Sequence, residues 1–146
     1  MSILNMNICL VDDDPLYSDF LAKSLRNKKH HVTCFSSGIQ ILDELNRKPD
    51  LIFIDVQMDI MDGFQTTRIL KKKWPSARIV LISSNERAEN ILKGESRFHD
   101  SFEVKSKDIA GMLIQLNHFK KRKQLLLFLK VFAISILAVV LWFFLI

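Results

Sequence analysis

Along the first 118 residues, short apolar runs alternate with stretches whose apolar positions recur every three to four residues. Asn7–Val11 is apolar enough along its length to predict a buried strand. Pro15 follows where a first helical residue would stand, with Asp13 or Asp14 as N-cap. Tyr17, Phe20, Leu21, Ser24 and Leu25 fall at i, i+3, i+4, i+7 and i+8, which predicts one amphipathic helical face. The same reading predicts strands at His31–Phe35 and Leu51–Asp55, a helix over 38–47 closed by Pro49, and a helix over 64–73 ended by Pro75. Residues 78–82 make a fourth strand, 86–93 a weaker helix and Ser101–Val104 a short fifth strand. Ile109, Met112, Leu113 and Leu116 mark a fifth helix. Five strand–helix units in strict alternation predict an α/β fold, a doubly wound parallel sheet with helices on both faces.

The pattern changes after residue 118. Of the 22 residues in 125–146, 20 are apolar, with Lys130 and Ser135 the two interruptions. At about 1.5 Å per residue such a helix spans roughly 33 Å, enough for the hydrocarbon core of a bilayer. The alternative, a buried core helix, is disfavoured because the body is complete without it and the segment has no polar face. Lys120, Lys121, Arg122 and Lys123 directly precede the span, so the positive-inside rule places the N-terminal body in the cytoplasm. The sequence stops at the end of this stretch, and the expectation is a single-span C-terminal anchor. The domain plan is then a body over 1–118, a basic juxtamembrane segment over 119–124 and a transmembrane helix over 125–146.

Charge supports this division. The chain of 146 residues has a formal charge of +5, which suggests nucleic acid or anionic membrane as partner. Residues 1–117 hold 16 basic and 16 acidic side chains, so the whole excess lies in the tail. No nucleic-acid-reading motif accompanies the body, and no nucleic-acid partner is expected. The 49% hydrophobic content excludes a disordered chain, and two cysteines exclude a disulfide scaffold. Cys9 and Cys34 lie in strand-like runs and are expected as buried, reduced core residues. Lys71, Lys72 and Lys73 are expected to be a solvated helix end.

Sheets of this kind bind ligands at the carboxyl ends of their strands, near the point where strand order reverses. Asp12 and Asp13 stand there after the first strand, Asp55 at the end of the third, Ser83 after the fourth and Lys105 after the fifth. Three carboxylates brought together repel one another unless a divalent cation sits among them, and Mg²⁺ suits oxygen ligands. With the metal and Lys105 the site is formally neutral, ready for a dianionic phosphoryl group. One carboxylate can then act as nucleophile and form an acyl phosphate. Asp55 is the better candidate because it stands alone at its strand end, whereas Asp12 and Asp13 suit metal holding. Ser83 would donate a hydrogen bond to the phosphoryl group, whose transfer needs positioning and charge neutralisation above all.

On these residues the chain resembles the receiver domain of two-component response regulators. The matching pieces are LVDDDP at 10–15, LIFID at 51–55, MDG at 61–63, LISS at 81–84 and FEVK at 102–105, and the resemblance covers about residues 5–118. It implies the flavodoxin-like (βα)5 strand order 2-1-3-4-5. It implies a signalling module rather than an enzyme, accepting phosphate on Asp55 from a sensor histidine kinase or a histidine phosphotransfer protein. Mg²⁺ would be held by Asp12, Asp13, Asp55 and the Gln57 backbone carbonyl. Ser83 and Phe102 would move as the switch, and Gln57 and Asn85 would flank the phosphoryl group. The altered surface, formed by the 86–93 helix, the fifth strand and the fifth helix, would meet a downstream protein or a second copy.

The chain departs from the family pattern in places. Ser106 stands where a proline with a cis bond is common, Asp59 where proline is usual, and Phe98-His99 where Gly-Ala is usual. Phe102 lacks a tyrosine hydroxyl. None of the five central positions is lost, so an active receiver is expected. The competing readings are a tail-anchored pseudo-receiver scaffold without phosphorylation, and a haloacid-dehalogenase-like phosphatase begun by Asp12-Asp13-Asp14.

Overall fold

The computed structural model describes residues 5–84, 100–105 and 110–145. The chain forms two units, Met1–Ile109 and Ala110–Ile146. The first contains β1 (Asn7–Val11), α1 (Pro15–Asn27), β2 (His31–Phe35), α2 (Gly38–Glu44), β3 (Leu51–Asp55), α3 (Gly63–Lys73), β4 (Ile79–Ser83) and β5 (Ser101–Val104). All pairings are parallel, in the order β2-β1-β3-β4, with β5 paired to the outer side of β4. This is the flavodoxin-like arrangement. The chain leaves β1 for β2 on one side and returns to β3 on the other, so the crevice opens between the carboxyl ends of β1 and β3.

Continuous apolar runs become strands buried on both faces. Every residue of β3 and of β4 is buried. Cys9, Val11, Ile52, Ile54, Ile79 and Leu81 point to one face, where they meet Ile41 of α2 and Leu70 of α3. Ile8, Leu10, Leu51, Phe53 and Val80 alternate onto the other face, and α1 lies there against β1 and β2. The stripe that α1 buries is Ser18, Leu21, Ala22 and Leu25. The predicted face is therefore rotated, with Phe20 on its margin at 41% exposure. Asp14, rather than Asp13, is the N-cap, accepting from the Leu16 and Tyr17 N–H groups.

Several sequence expectations are corrected by the structure, two of them by tertiary contacts of the α3 lysines. The second helix stops at Glu44 instead of reaching residue 47, because Leu45 turns extended and its carbonyl is taken by Lys73 Nζ at 3.0 Å. The lysines of α3 are thus not merely solvated. Lys71 Nζ donates to the Ala77 carbonyl at 2.7 Å and to Asp100 at 3.0 Å, with its side chain only 16% exposed. Asp100 also accepts from Arg78 and from the Ile79 N–H, which locks the entry to β5 against the entry to β4. Burial opposes the charge on Asp100, yet the Ile79 N–H, Lys71 and Arg78 together hold its pKa below the usual carboxylate value. The fourth strand begins one residue later than predicted and the third helix one residue earlier. Cys9 is buried and its thiol pushed up to about 12 by that burial, with Cys34 adding to the rise, while Cys34 itself is half-buried. The predicted 86–93 helix, Asn85, Phe98-His99, Ser106 and the side chain of Phe102 lie outside the described residues.

The second unit is one helix, Ala110–Leu145, of 36 residues. Within it Lys121–Trp142 is long and apolar enough to cross a membrane, by length and composition. Among the described residues its large apolar side chains between Leu125 and Trp142 are exposed, and Phe128 stacks on Phe132 with centroids 6.2 Å apart. Ser135 Oγ donates to the Val131 carbonyl at 3.0 Å, so its hydroxyl is satisfied within the helix.

Candidate functional site

The sheet ladder continues one residue past its strands and thereby fixes the backbone of the site. The Asp12 N–H donates to the Phe35 carbonyl (3.0 Å), that of Val56 to Ile82 (2.8 Å), and that of Lys105 to Ser83 (2.7 Å). Asp12, Asp55, Ser83 and Lys105 therefore sit on one rim for the reason that rims of parallel sheets align: each chain is locked to its neighbour up to the point where it leaves.

Two aspartates are then oriented in the same local way. Asp12 Oδ1 accepts the Asp14 N–H at 2.9 Å, and Asp55 Oδ1 accepts the Gln57 N–H at 3.2 Å. Each is a carboxylate turned back on its own backbone two residues ahead, a habit of Asp at turns. Lys105 reaches between them, 2.7 Å from Asp55 Oδ2 and 2.8 Å from Asp12 Oδ2. The Asp12 and Asp55 side chains are only 2% and 5% exposed, so this is a buried ionic triad.

Its titration reflects that burial. Loss of water raises the pKa of Asp12 and Asp55, and the Lys105 ammonium opposes the rise without cancelling it. Burial depresses Lys105 in turn, but its two carboxylate partners outweigh this and hold its pKa above the usual lysine value. Both carboxylates are thus short of positive charge even with Lys105 present. Asp12 Oδ2 meets Lys105 as an ion pair but has no hydrogen bond of good geometry. It is available to a further cation. Exposed Asp13 completes the set: one oxygen from each of Asp12, Asp13 and Asp55 lies within 4.8 Å of the others. An all-oxygen, partly open set of this kind fits Mg²⁺, a hard cation that keeps several waters.

The remaining expected residues divide. Ser83 is fully buried at the β4 end. Gln57 is exposed, and its side-chain oxygen accepts from Ser84 Oγ at 3.3 Å, linking the β3 and β4 loops. Asp59 is exposed, and its N–H approaches Asp13 Oδ2 at 3.4 Å. Tyr17 was read from the sequence only as a packing residue. Its ring lies 5.1 Å from Lys105 Nζ, a cation–π distance that adds a wall to the lysine's position. Its place two residues after DDDP was the available signal, but helical periodicity gave it a sufficient explanation as packing.

The loop from β3 to α3 carries two backbone constraints. Gly63 lies so close to the Asp55 carbonyl that a Cβ there would overlap it. Ile60 has φ of 65° while 91% exposed. Left-handed backbone costs an L residue roughly 1–2 kcal/mol, and no burial offsets it here. Ile60→Gly is expected to stabilise the chain by about 0.5–1 kcal/mol after the larger unfolded-state entropy of glycine is counted. A raised urea midpoint with unchanged m-value is the expected reading. A lowered midpoint would show that the Ile60 side chain earns its place through contacts.

Comparison with known proteins matches this geometry. Residues 8–112 match the family model described as the response regulator receiver domain. Hybrid signal transduction histidine kinase E of Dictyostelium discoideum is 36% identical over 86 residues, 54% of this chain and 5% of the kinase. The probable transcriptional regulatory protein TcrX of Mycobacterium tuberculosis is 21% identical over 118 residues, 80% of this chain and 50% of TcrX. The chain therefore spans half or less of these relatives. Among solved structures, the response regulator TrrA of Thermotoga maritima, in complex with Mg²⁺-BeF, has the same fold. It superimposes with a TM-score of 0.72 at 21% identity, covering 80% of this chain and 99% of that one. Sequence model, fold and the arrangement of carboxylates and lysine agree: the chain belongs to the response regulator receiver domain family.

Proposed function

We propose that this chain is a membrane-tethered receiver that accepts a phosphoryl group on Asp55 and signals through protein contacts. The observation that carries this reading is Lys105 Nζ, 2.7 Å from Asp55 and 2.8 Å from Asp12, beside a third carboxylate. An Asp55 Oδ attacks phosphorus as the N–P bond of a phosphohistidine breaks, giving an acyl phosphate and returning the electron pair to the imidazole. Asp12, Asp13, Asp55 and the Gln57 carbonyl would hold Mg²⁺, which supplies charge neutralisation at the phosphoryl oxygens when bound. Lys105 balances a phosphoryl oxygen once its carboxylate partner is esterified, and Ser83 and Phe102 would be the residues that rearrange. A histidine kinase or phosphotransfer protein is the proposed donor, consistent with the name of the Dictyostelium relative. The downstream contact is a protein or a second copy.

The domain plan proposed is a receiver over 1–118, a basic segment over 119–124 and a span over 125–146, with the receiver in the cytoplasm. The apolar helix and the basic residues before it support this placement. Incubation of the wild type with Mg²⁺ and a small phosphodonor is expected to give one acid-stable, base-labile label, absent from Asp55→Ala. No label on the wild type would favour a non-switching scaffold. Turnover of a phosphate ester that needs Asp12 but survives Asp55→Ala would favour a phosphatase.

A further inference from the structure

The receiver unit is neutral in sum but not in distribution. In a parallel sheet the amino ends of the strands share one rim, opposite the rim that carries Asp55. The amino rim is built from the last helical turns and the loops after them, residues 24–31, 41–50 and 70–78, together with Asp100 before β5. Among these described residues are nine Lys or Arg and four Asp or Glu. The carboxyl rim, residues 12–18, 36–40, 55–66 and 83–84 with Lys105, holds six Asp and a single Lys. The described body is therefore polarised, with a formal +5 at one end and −5 at the other.

Contacts between loops make the amino rim one surface. Lys48 Nζ donates to Ser76 Oγ at 2.8 Å, and Lys73 Nζ to the Leu45 carbonyl at 3.0 Å. A recess of about 230 Å³ lined by Asn7, His31, Thr33, Arg47 and Lys48 joins the start of β2 to the same patch. Lys71 and Arg78 are engaged by Asp100. Lys28, Arg47, Lys48, Lys72 and Lys73 are exposed. Ser76 Oγ and the Leu45 carbonyl are neutral partners, as is the Trp74 ring 4.6 Å from Lys73 Nζ, so the charge of Lys48 and Lys73 stays at the surface.

We propose that the amino rim rests on the anionic lipid surface of the bilayer that holds the C-terminal helix, and so turns the Asp55 rim toward the cytoplasm. The inference rests on the membrane-tethered reading above. The receiver unit ends at Ile109 and residues 110–124 are helical up to the proposed span, a reach of about 22 Å. A body tethered that closely has a high effective concentration at the surface, and modest attractions decide which end meets lipid. Each Lys or Arg near an anionic leaflet favours contact by about fivefold, and the effect fades over a Debye length of about 8 Å. A five-residue strand such as β3 rises about 17 Å, which puts the carboxyl rim beyond that range when the amino rim is down. Turned over, its aspartates would be repelled. Both poles thus favour one orientation, and that orientation leaves Asp55 open to its phosphoryl donor. Nucleic acid is the competing partner for a basic surface, but confinement at a bilayer favours lipid.

The test is amide hydrogen exchange on the full chain in vesicles of phosphatidylcholine alone or mixed with phosphatidylglycerol. Amides of 27–31, 45–48 and 73–77 are expected to exchange more slowly in the anionic vesicles, with 12–18 and 57–62 unchanged. The triple variant Lys28→Gln, Arg47→Gln, Lys72→Gln should weaken the orientation by about 100-fold and lose that protection. Unchanged exchange in β3 and β4 shows that the variant is folded. Salt at 1 M, where the Debye length is about 3 Å, should abolish the protection as well. Equal exchange of the rim loops in the two lipids, protection that survives the triple variant, or protection at 12–18 and 57–62 instead would overturn the proposal. So would protection by added single-stranded RNA with none from phosphatidylglycerol, which would assign the rim to nucleic acid. Release of the wild type from vesicles by alkaline carbonate would overturn the anchoring itself, a result separate from any labelling of Asp55.

Discussion

Lys105→Met is expected to cost the receiver unit about 3 kcal/mol at neutral pH, the scale for removing one partner of a buried ion pair. Asp12 and Asp55 would be left facing each other, almost without solvent, with like charge and no ammonium between them. Urea denaturation in chelator is the direct measurement, since a divalent cation would replace part of the missing charge. The pH dependence identifies the cause. Asp12 and Asp55 already bind protons more readily in the folded state than in the unfolded one. A carboxylate shifted upward favours the folded state increasingly as pH falls through its folded pKa, and that gain is complete below the unfolded value of about 3.9. Removing Lys105 removes the influence that restrained the shift, so the variant should regain more stability than the wild type as pH falls from neutral toward the unfolded carboxylate value. Lys105 itself does not titrate in that window, because its raised pKa confines its own stability loss to strongly alkaline solution. A variant as stable as wild type in chelator at pH 7 would show that the triad is hydrated and weakly coupled in solution.

Gly63→Ala is expected to destabilise by about 2–3 kcal/mol and to slow phosphorylation of Asp55 at the same time. Overpacking costs about 1–3 kcal/mol, more where the neighbour cannot yield. Here the neighbour is backbone: the added methyl would meet the Asp55 carbonyl oxygen and lie 3.0 Å from the Asp55 carbonyl carbon and the Val56 α-carbon. Neither can swing away, because β3 is central in the sheet and the Val56 carbonyl accepts the Gly63 N–H at 3.1 Å. The strain falls on Asp55, the proposed phosphoacceptor. Loss of stability by denaturation together with a slower rate from a small phosphodonor, measured below the melting point, is the expected pair of results. Lowered stability with an unchanged rate would mean that the helix gives way while Asp55 stays in place.

The sheet was legible because burial on both faces writes itself into sequence as uninterrupted apolar runs, and LIFID and IVLIS became the fully buried β3 and β4. The candidate site was legible for a related reason. In a parallel sheet the carboxyl ends share one rim, so Asp12, Asp55, Ser83 and Lys105 could be assigned to one place from their positions after strands. Other features were not legible because they depend on which surfaces meet. The end of α2 is set by Lys73, 28 residues away, and no local signal at Leu45 anticipates it. Lys71 was indistinguishable from a solvated helix-end lysine until Asp100 stood beside it. Tyr17 satisfied a helical period so well that packing accounted for it, and its place beside DDDP was not read as a position under Lys105.

By itself the sequence determined the alternation of strands and helices, the neutrality of the body against a tail carrying the whole net charge, and the identities of the acidic and basic residues at the strand ends. These are properties of local composition and period, and a chain cannot bury or expose a residue type without displaying it. Only the tertiary structure decided that the Lys105 ammonium bridges two buried carboxylates, that Asp12 Oδ2 remains open to a further cation, and that Gly63 is required by the Asp55 carbonyl. The two contacts of Lys105 are distances across 50 and 93 positions of chain. Distances of that kind arise when strands lock side by side, and ångström-scale placement then decides between attraction and repulsion.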